Sequence, residues 1–278
     1  MIARVVAMES FSLRDCFADA AYGDHFFISC VGVVHVKRST GHILFLLLFV
    51  ATPAFAGPPF DTDDPEPVEF LHWEFYLSSI QHFQRSGNNA TLPHVEINYG
   101  AFPNVQLHVL APMGYVRANG HTSYGIGDIE LGVKYRFVEE TESTPQVGTF
   151  PLVEIPTGDR SQGLGNGQAQ IYLPLWIQKS WGDFTTYGGG GYWYNPGPDQ
   201  KNWIFAGWEA QYTFSKVLTL GGEIIYHTAD SQTSGSEAAF NVGGYVNLNE
   251  NDHILFSIGR SMRGDGAING YVGFQLTI

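Results

Sequence analysis

Residues 125–137 read GIGDIELGVKYRF. Ile129, Leu131, Val133, Tyr135 and Phe137 fall on one side of an extended chain, with Asp128, Glu130, Gly132, Lys134 and Arg136 on the other. Successive side chains of a strand point to opposite faces, so this stretch is a strand with one apolar and one charged face. The alternation recurs in both directions. Before it, Leu71, Trp73, Phe75 and Leu77 oppose His72, Glu74, Tyr76 and Ser78; Val95, Ile97 and Tyr99 oppose His94, Glu96 and Asn98; Val105, Leu107 and Val109 oppose Gln106 and His108. After it, Ile171, Leu173, Leu175 and Ile177 share a face, Trp208, Ala210 and Tyr212 oppose Glu209 and Gln211, and Leu220, Ile224 and Tyr226 oppose Glu223 and His227. Phe240 and Val242 oppose Asn241, and Val272, Phe274, Leu276 and Ile278 end the chain on one face. About twelve strands follow from this pattern, and no helix.

The connections alternate in length. The longer ones hold residues 85–91, 114–124, 156–167, 195–202, 228–237 and 260–266; those between, such as 100–104, 180–183, 215–216 and 249–252, are mostly tighter. A soluble sandwich has no reason to keep that rhythm. An outer-membrane barrel does, because short turns face the periplasm and longer loops face outside. Strands can cross lipid only if the sheet closes on itself, since every backbone polar group must be paired there. The predicted fold is therefore all-β, a transmembrane antiparallel up-and-down β-barrel of about 12 strands over residues 68–278. A mean hydropathy of −0.07 fits apolar outward positions averaged with polar inward ones. Tyr99, Tyr115 and Tyr226, at predicted strand ends, suit interfacial girdles.

Composition narrows the alternatives. The 278 residues include 33 Gly and carry a net charge of −13, with 44% hydrophobic, 14% aromatic and only 15% charged residues. The aromatics exclude a disordered chain, and the scarcity of charge excludes a coiled coil. The acidic balance excludes nucleic acid as a partner, because phosphate backbones need clustered Lys and Arg.

Targeting signals lie at the front. Lys37 and Arg38 form a positive region, residues 43–50 (ILFLLLFV) an apolar one, and Ala54-Phe55-Ala56 a small-residue cleavage site. Residues 36–56 are expected to be a signal peptide cleaved after Ala56, too short in its apolar part to span a bilayer. Signal peptides begin at the N-terminus, so residues 1–35 are read as a leader of doubtful reality, with Val36 as an alternative start. Cys16 and Cys30 both lie in that leader, leaving residues 57–278 without thiol chemistry. Residues 57–67 (GPPFDTDDPEP) form an extended, acidic, proline-rich segment.

The inward face supplies the candidate site. His72, Glu74, Glu96, His108, Asp128, Glu130, Lys134, Arg136, Glu209 and Glu223 are the candidates for lining the lumen. Two arrangements stay open. One is an acidic pore that favours cations or polar neutral solutes. The other is a filled lumen in which Glu130 and Asp128 pair with Lys134 or Arg136; twelve strands lie between filled and open barrels. No histidine spacing resembles a metal site, and no cofactor is expected. Gly188 to Gly191 either makes room in the lumen for another segment or marks strong strand curvature. The loop holding Gly163-Leu164-Gly165-Asn166-Gly167 lacks a phosphate-binding Lys and is expected to be exposed.

Several of these stretches together resemble one family: GPPFDTDDPEP, HWEFY (72–76), INYGAFPNVQL (97–107), GIGDIELGVKYRF, PTGD (156–159) with its Gly-rich loop, and YGGGGYWYNPGP (187–198). They are similar to the outer-membrane family named for the MetA pathway of phenol degradation. The resemblance spans residues 57–278 and none of 1–35. It implies a transporter-like barrel and a loose link to aromatic compounds, and it brings no site residues. These barrels commonly end in Phe, whereas this chain ends in Ile278.

The expected function is a channel or transporter for small solutes, aromatic or hydrophobic ones among them, in the outer membrane of a Gram-negative bacterium. Its expected partners are outer-membrane lipid, the barrel assembly machinery through the C-terminal strand, and a small-molecule solute. The alternatives are a lipid-acting barrel enzyme, for which His227 with Ser231 and Asp230 is the one cluster to weigh, and a structural or adhesive barrel.

Overall fold

A computed structural model describes residues 33–37, 42–46, 57–84, 87–118, 120–264 and 266–278. Met1–Ala54 and Phe55–Ile278 form separate units. In the first, β1 (Val33–Lys37) and β2 (His42–Leu46) pair antiparallel. The expected cleavage site and most of the leader and signal peptide lie outside the described residues.

The second unit is nearly all sheet. Its strands are β3 (Trp73–Gln84), β4 (Gly87–Phe102), β5 (Val105–Ala118), β6 (His121–Ile126), β7 (Ile129–Val138), β8 (Gln146–Thr149), β9 (Leu152–Ile155), β10 (Gln170–Trp181), β11 (Phe184–Tyr194), β12 (Trp203–Thr213), β13 (Leu218–His227), β14 (Glu237–Asn247), β15 (Asp252–Arg263) and β16 (Ile268–Thr277). Gly127 and Asp128 interrupt one strand to give β6 and β7; Phe150 and Pro151 interrupt another to give β8 and β9. Counting each interrupted pair once leaves twelve antiparallel strands.

The ring closes because β16 pairs with β3 and β5 pairs with β7, so the sheet has no free end. An even strand number brings both ends of the barrel to one rim. There Trp73 N donates to Ile278 O at 2.7 Å, and Ile278 N to Trp73 O at 2.9 Å. The tight turns after β4, β10, β12 and β14 share this rim.

The two faces sort as the alternation predicts. Leu131, Val133, Tyr135 and Phe137 are exposed outside while Lys134 is buried inside; Leu173 and Leu175 are 58% and 55% exposed while Trp176 between their neighbours is 2%. A continuous belt of exposed Leu, Ile, Val and Phe circles the barrel, far beyond the patch size a water-soluble monomer carries. Aromatic pairs edge it at the tight-turn rim: Trp73 stacks on Tyr99 at 4.3 Å and Trp181 on Phe184 at 6.2 Å.

Two of the expected long loops are strand instead. Residues 87–91 pair with β3 and residues 113–118 with β6, so the described parts of 85–91 and 114–124 belong to tall hairpins. Their polar composition reads as loop, yet register continues through them because a hairpin standing above the bilayer needs no apolar face. Among the described residues the one helical element is a 3-10 turn, Arg160–Gln162, whose N-cap Asp159 accepts from Ser161 N.

Candidate functional site

The lumen is occupied by the chain's own N-terminal segment. Proline fixes φ and acidic residues repel one another, so residues 57–67 form no ladder and stay extended. Thr62, Asp64 and Pro65 are fully buried and Phe60 is nearly so, which places the segment inside the ring.

Charge and hydrogen bonds hold it. Lys134 Nζ lies 2.9 Å from Asp63 Oδ1 and 3.3 Å from Asp64 Oδ2. Arg136 lies 3.8 Å from Glu66 Oε1, while Gln146 and Gln178 donate to Glu66 Oε2 at 3.1 and 3.2 Å. Across the barrel, Glu223 accepts from the backbone N–H groups of Asp61 (2.9 Å) and Thr62 (2.7 Å), and from Asn241 Nδ2. Ser257 donates to Pro59 O at 2.7 Å, and Val68 N donates to Gln106 Oε1 at 2.9 Å, so strands from all round the ring grip the segment. Burial pushes the Asp64 carboxyl well above the usual carboxylate range, with Lys134 pulling the other way; burial raises Asp61 too.

Replacing Glu223 with Gln keeps the shape but leaves one carbonyl oxygen to serve two backbone donors. The expected loss is about 1–3 kcal/mol of segment docking, read as faster hydrogen exchange at the Asp61 and Thr62 amides.

The ten sequence candidates divide. Lys134, Arg136 and Glu223 hold the N-terminal segment. Glu96, His108 and Glu130 meet one another: His108 Nε2 lies 3.1 Å from Glu130 Oε1 and its Nδ1 3.5 Å from Glu96 Oε1, with Asn98 bridging at 2.7 Å. Glu74 accepts from Tyr76 OH at 2.7 Å. Glu209 is fully buried, and neither of its carboxylate oxygens has a hydrogen-bond partner among the described residues. Two candidates sit elsewhere than the lumen reading placed them. His72 precedes β3, is exposed and contacts Phe70 O at 3.2 Å. Asp128 is a loop anchor, its two oxygens accepting from Gly158 N (2.9 Å) and Asn166 N (2.6 Å). The pairing of Asp128 and Glu130 with Lys134 and Arg136 is likewise replaced: Lys134 turns to Asp63 and Asp64, while Arg136 donates to Asn104 Oδ1 at 2.7 Å and lies 3.8 Å from Glu66.

At the far rim the loops interlock. Leu164, expected in an exposed loop, is buried against Gly114 and Gly125, so this loop tucks into the mouth of the barrel. Asn166 donates to Asn195 Oδ1 at 2.8 Å, Arg160 to Pro198 O at 2.8 Å, and Lys201 N to Asp230 O at 2.8 Å. His227 contacts Thr228 O and Glu237 rather than Ser231 or Asp230, so the weighed nucleophile cluster is not assembled.

Part of the inner wall is aromatic, and the N-terminal segment reaches it: Pro65 lies against Gly148, the register partner of Trp176, and Thr62 against Gly207, the register partner of Gly189. Phe150, Tyr172, Trp176 and Trp193 form a buried cluster joined by Leu152, Trp203 and Phe205. Tyr172 stacks on Trp193 at 4.7 Å, and Trp193 on Trp203 at 5.3 Å. Tyr172 OH and Trp176 Nε1 are buried with no hydrogen-bond partner among the described residues. Sequence reading missed this wall by following the leucines of β10; Tyr172 and Trp176, four apart and interleaved with them, were the signal. Gly189 and Gly191 serve these rings, since a β-carbon at Gly191 would strike Tyr172 and one at Gly189 would crowd Trp176.

Comparisons with known proteins agree with the fold. The family model described as MetA-pathway of phenol degradation matches residues 80–277. The COG4313 outer membrane channel from Pseudomonas putida F1 is similar at a TM-score of 0.59 and 15% identity, covering 77% of this chain and 99% of that one. The translocator domain of autotransporter NalP from Neisseria meningitidis is similar at 0.51 and 12% identity, over 73% and 88% of the two chains. The NanC porin structure is similar at 0.51 and 7% identity, over 73% and 98%. No curated protein matches.

Proposed function

The chain belongs to the MetA-pathway of phenol degradation family, and from that premise we propose that it is an outer-membrane channel or transporter for small ring-bearing or otherwise hydrophobic solutes. It would reach the outer membrane of a Gram-negative bacterium through a signal peptide cleaved after Ala56 and the assembly machinery's reading of its last strand. Outer-membrane lipid would then cover its apolar belt.

One observation carries the reading: a buried, stacked aromatic cluster on the inner side of β8 to β12. Stacked and edge-on rings favour a flat apolar guest. Tyr172 OH and Trp176 Nε1 supply two donors that a solute's acceptor atom would satisfy, and an unmade buried hydrogen bond is costly. The carboxylates inside outnumber the cations, which disfavours anionic solutes.

Tryptophan fluorescence of refolded residues 57–278, titrated with naphthalene, tests this. The expected result is saturable quenching that weakens about tenfold in Trp193→Leu, matching loss of roughly 1.4 kcal/mol of ring contact. A linear, unsaturable change, identical in the variant, would contradict it.

A further inference from the structure

The barrel wall has a gap in the ladder between β8–β9 and β10, and the aromatic wall lies on it. β10 pairs with β8 through Trp176↔Gly148 and onward, and with β9 through Tyr172↔Leu152 and onward. Register is the same on both sides, so residues 149–151 stand opposite residues 173–175, yet no ladder pair joins them. Two prolines explain the gap. In an extended residue the N–H and C=O point to the same neighbour. The Pro174 carbonyl is taken at 2.6 Å by the Thr149 hydroxyl, so its missing N–H also faces β8 and β9. The Pro151 carbonyl accepts from Val133 N at 3.1 Å, so its missing N–H faces β7. One short interval therefore lacks a donor on both flanks, where proline is excluded from central strands for that reason.

On the inner side Tyr172 and Trp176 flank the gap and Phe150 lies within it. Tyr172 and Trp176 rest over the glycines of β11, and Phe150 over Gly132 of β7, where a β-carbon would strike each ring. Outside, Leu173 and Leu175 are exposed in the apolar belt. Residues 57–67 occupy the lumen, and the loops are hydrogen-bonded to one another at the far rim.

The geometry points to a lateral portal between β8–β9 and β10, through which an apolar ring-bearing solute passes between the aromatic wall and the membrane. The inference rests on the hydrophobic-solute reading above and adds the route. Opening it breaks few ladder bonds, because the interval from Thr149 to Pro151 has few to break.

A reversible staple tests it. Thr149 and Leu175 both point outward and stand opposite each other in a pair that is not hydrogen-bonded, the closer kind in an antiparallel ladder. With no cysteine in residues 57–278, Thr149→Cys with Leu175→Cys can be oxidised alone. The probe is N-phenyl-1-naphthylamine, which brightens on entering the membrane of whole cells producing the protein. Oxidation should slow brightening at least tenfold, reduction should restore it, and a staple at Ile224→Cys with Phe240→Cys, register partners on β13 and β14, should have no effect. Pro174→Val, which restores the missing donor, should slow entry without any staple and covers the case in which the double variant fails to assemble. Equal rates in the oxidised pair, Pro174→Val and the unaltered protein would overturn the portal while leaving the solute class standing. Brightening no faster than in cells without the protein would overturn the solute class, and the portal with it.

Discussion

Replacing Lys134 with Met is expected to release residues 57–67 from the lumen. Lys134 is 3% exposed and faces two carboxylates, Asp63 at 2.9 Å and Asp64 at 3.3 Å. Removing one partner of a buried pair leaves the other charge uncompensated, which costs about 3–5 kcal/mol. That corresponds to a rise of roughly two to three and a half orders of magnitude in the released population. Hydrogen exchange at Thr62 and Val68, whose amides donate to Glu223 and Gln106, should accelerate by a similar factor. Lys179→Met is the control. Its partner Glu140, at 2.7 Å, sits outside the lumen near the tight-turn rim, where such pairs contribute about 1 kcal/mol or less. Unchanged protection in Lys134→Met would mean that shape rather than charge seats the segment.

Gly207→Ala should unseat the same segment by steric means. A β-carbon there would strike Thr62 Oγ1 and approach Thr62 Cβ to 3.1 Å, while its nearest barrel neighbour, Ile225 Cγ2, stays at 3.3 Å. Overpacking of this kind costs about 1–3 kcal/mol. The clash falls on the segment, so barrel stability should hold, measured by heat-modifiable gel migration, while exchange at the Asp61 and Thr62 amides speeds up about ten- to a hundredfold. Thr62→Gly in the same chain removes the obstacle and should restore protection. Failure of that rescue would show that Gly207 serves the barrel wall instead.

Much of the wall was legible because period-two alternation is imposed by the geometry of a sheet with lipid on one side. GIGDIELGVKYRF alone placed Leu131 outside and Lys134 inside, as observed. The filling of the lumen was harder to read, since residues 57–67 have no periodicity and their contacts span the whole ring. Asp61 meets Glu223 across 162 positions of sequence. A hint existed in Lys134 and Arg136, two inward cations beside a segment carrying Asp61, Asp63, Asp64 and Glu66. The partners of Asp128 were not legible for a local reason: it stands where β6 gives way to β7, and its side chain accepts from the backbone of a loop some thirty residues on. The inner aromatics escaped notice because a buried Trp and a lipid-facing Trp look alike in sequence; only parity along the strand separates Trp176 from Trp208.

Residues 57–67 are expected to occlude the path along the barrel axis, which single-channel conductance in planar bilayers reads by comparing refolded residues 57–278 with a chain beginning at Val68. Small, infrequent currents from the first chain and steady, cation-selective openings roughly an order of magnitude larger from the second are predicted, as a vacated acidic lumen requires. Equal conductance from two equally folded barrels would contradict the account.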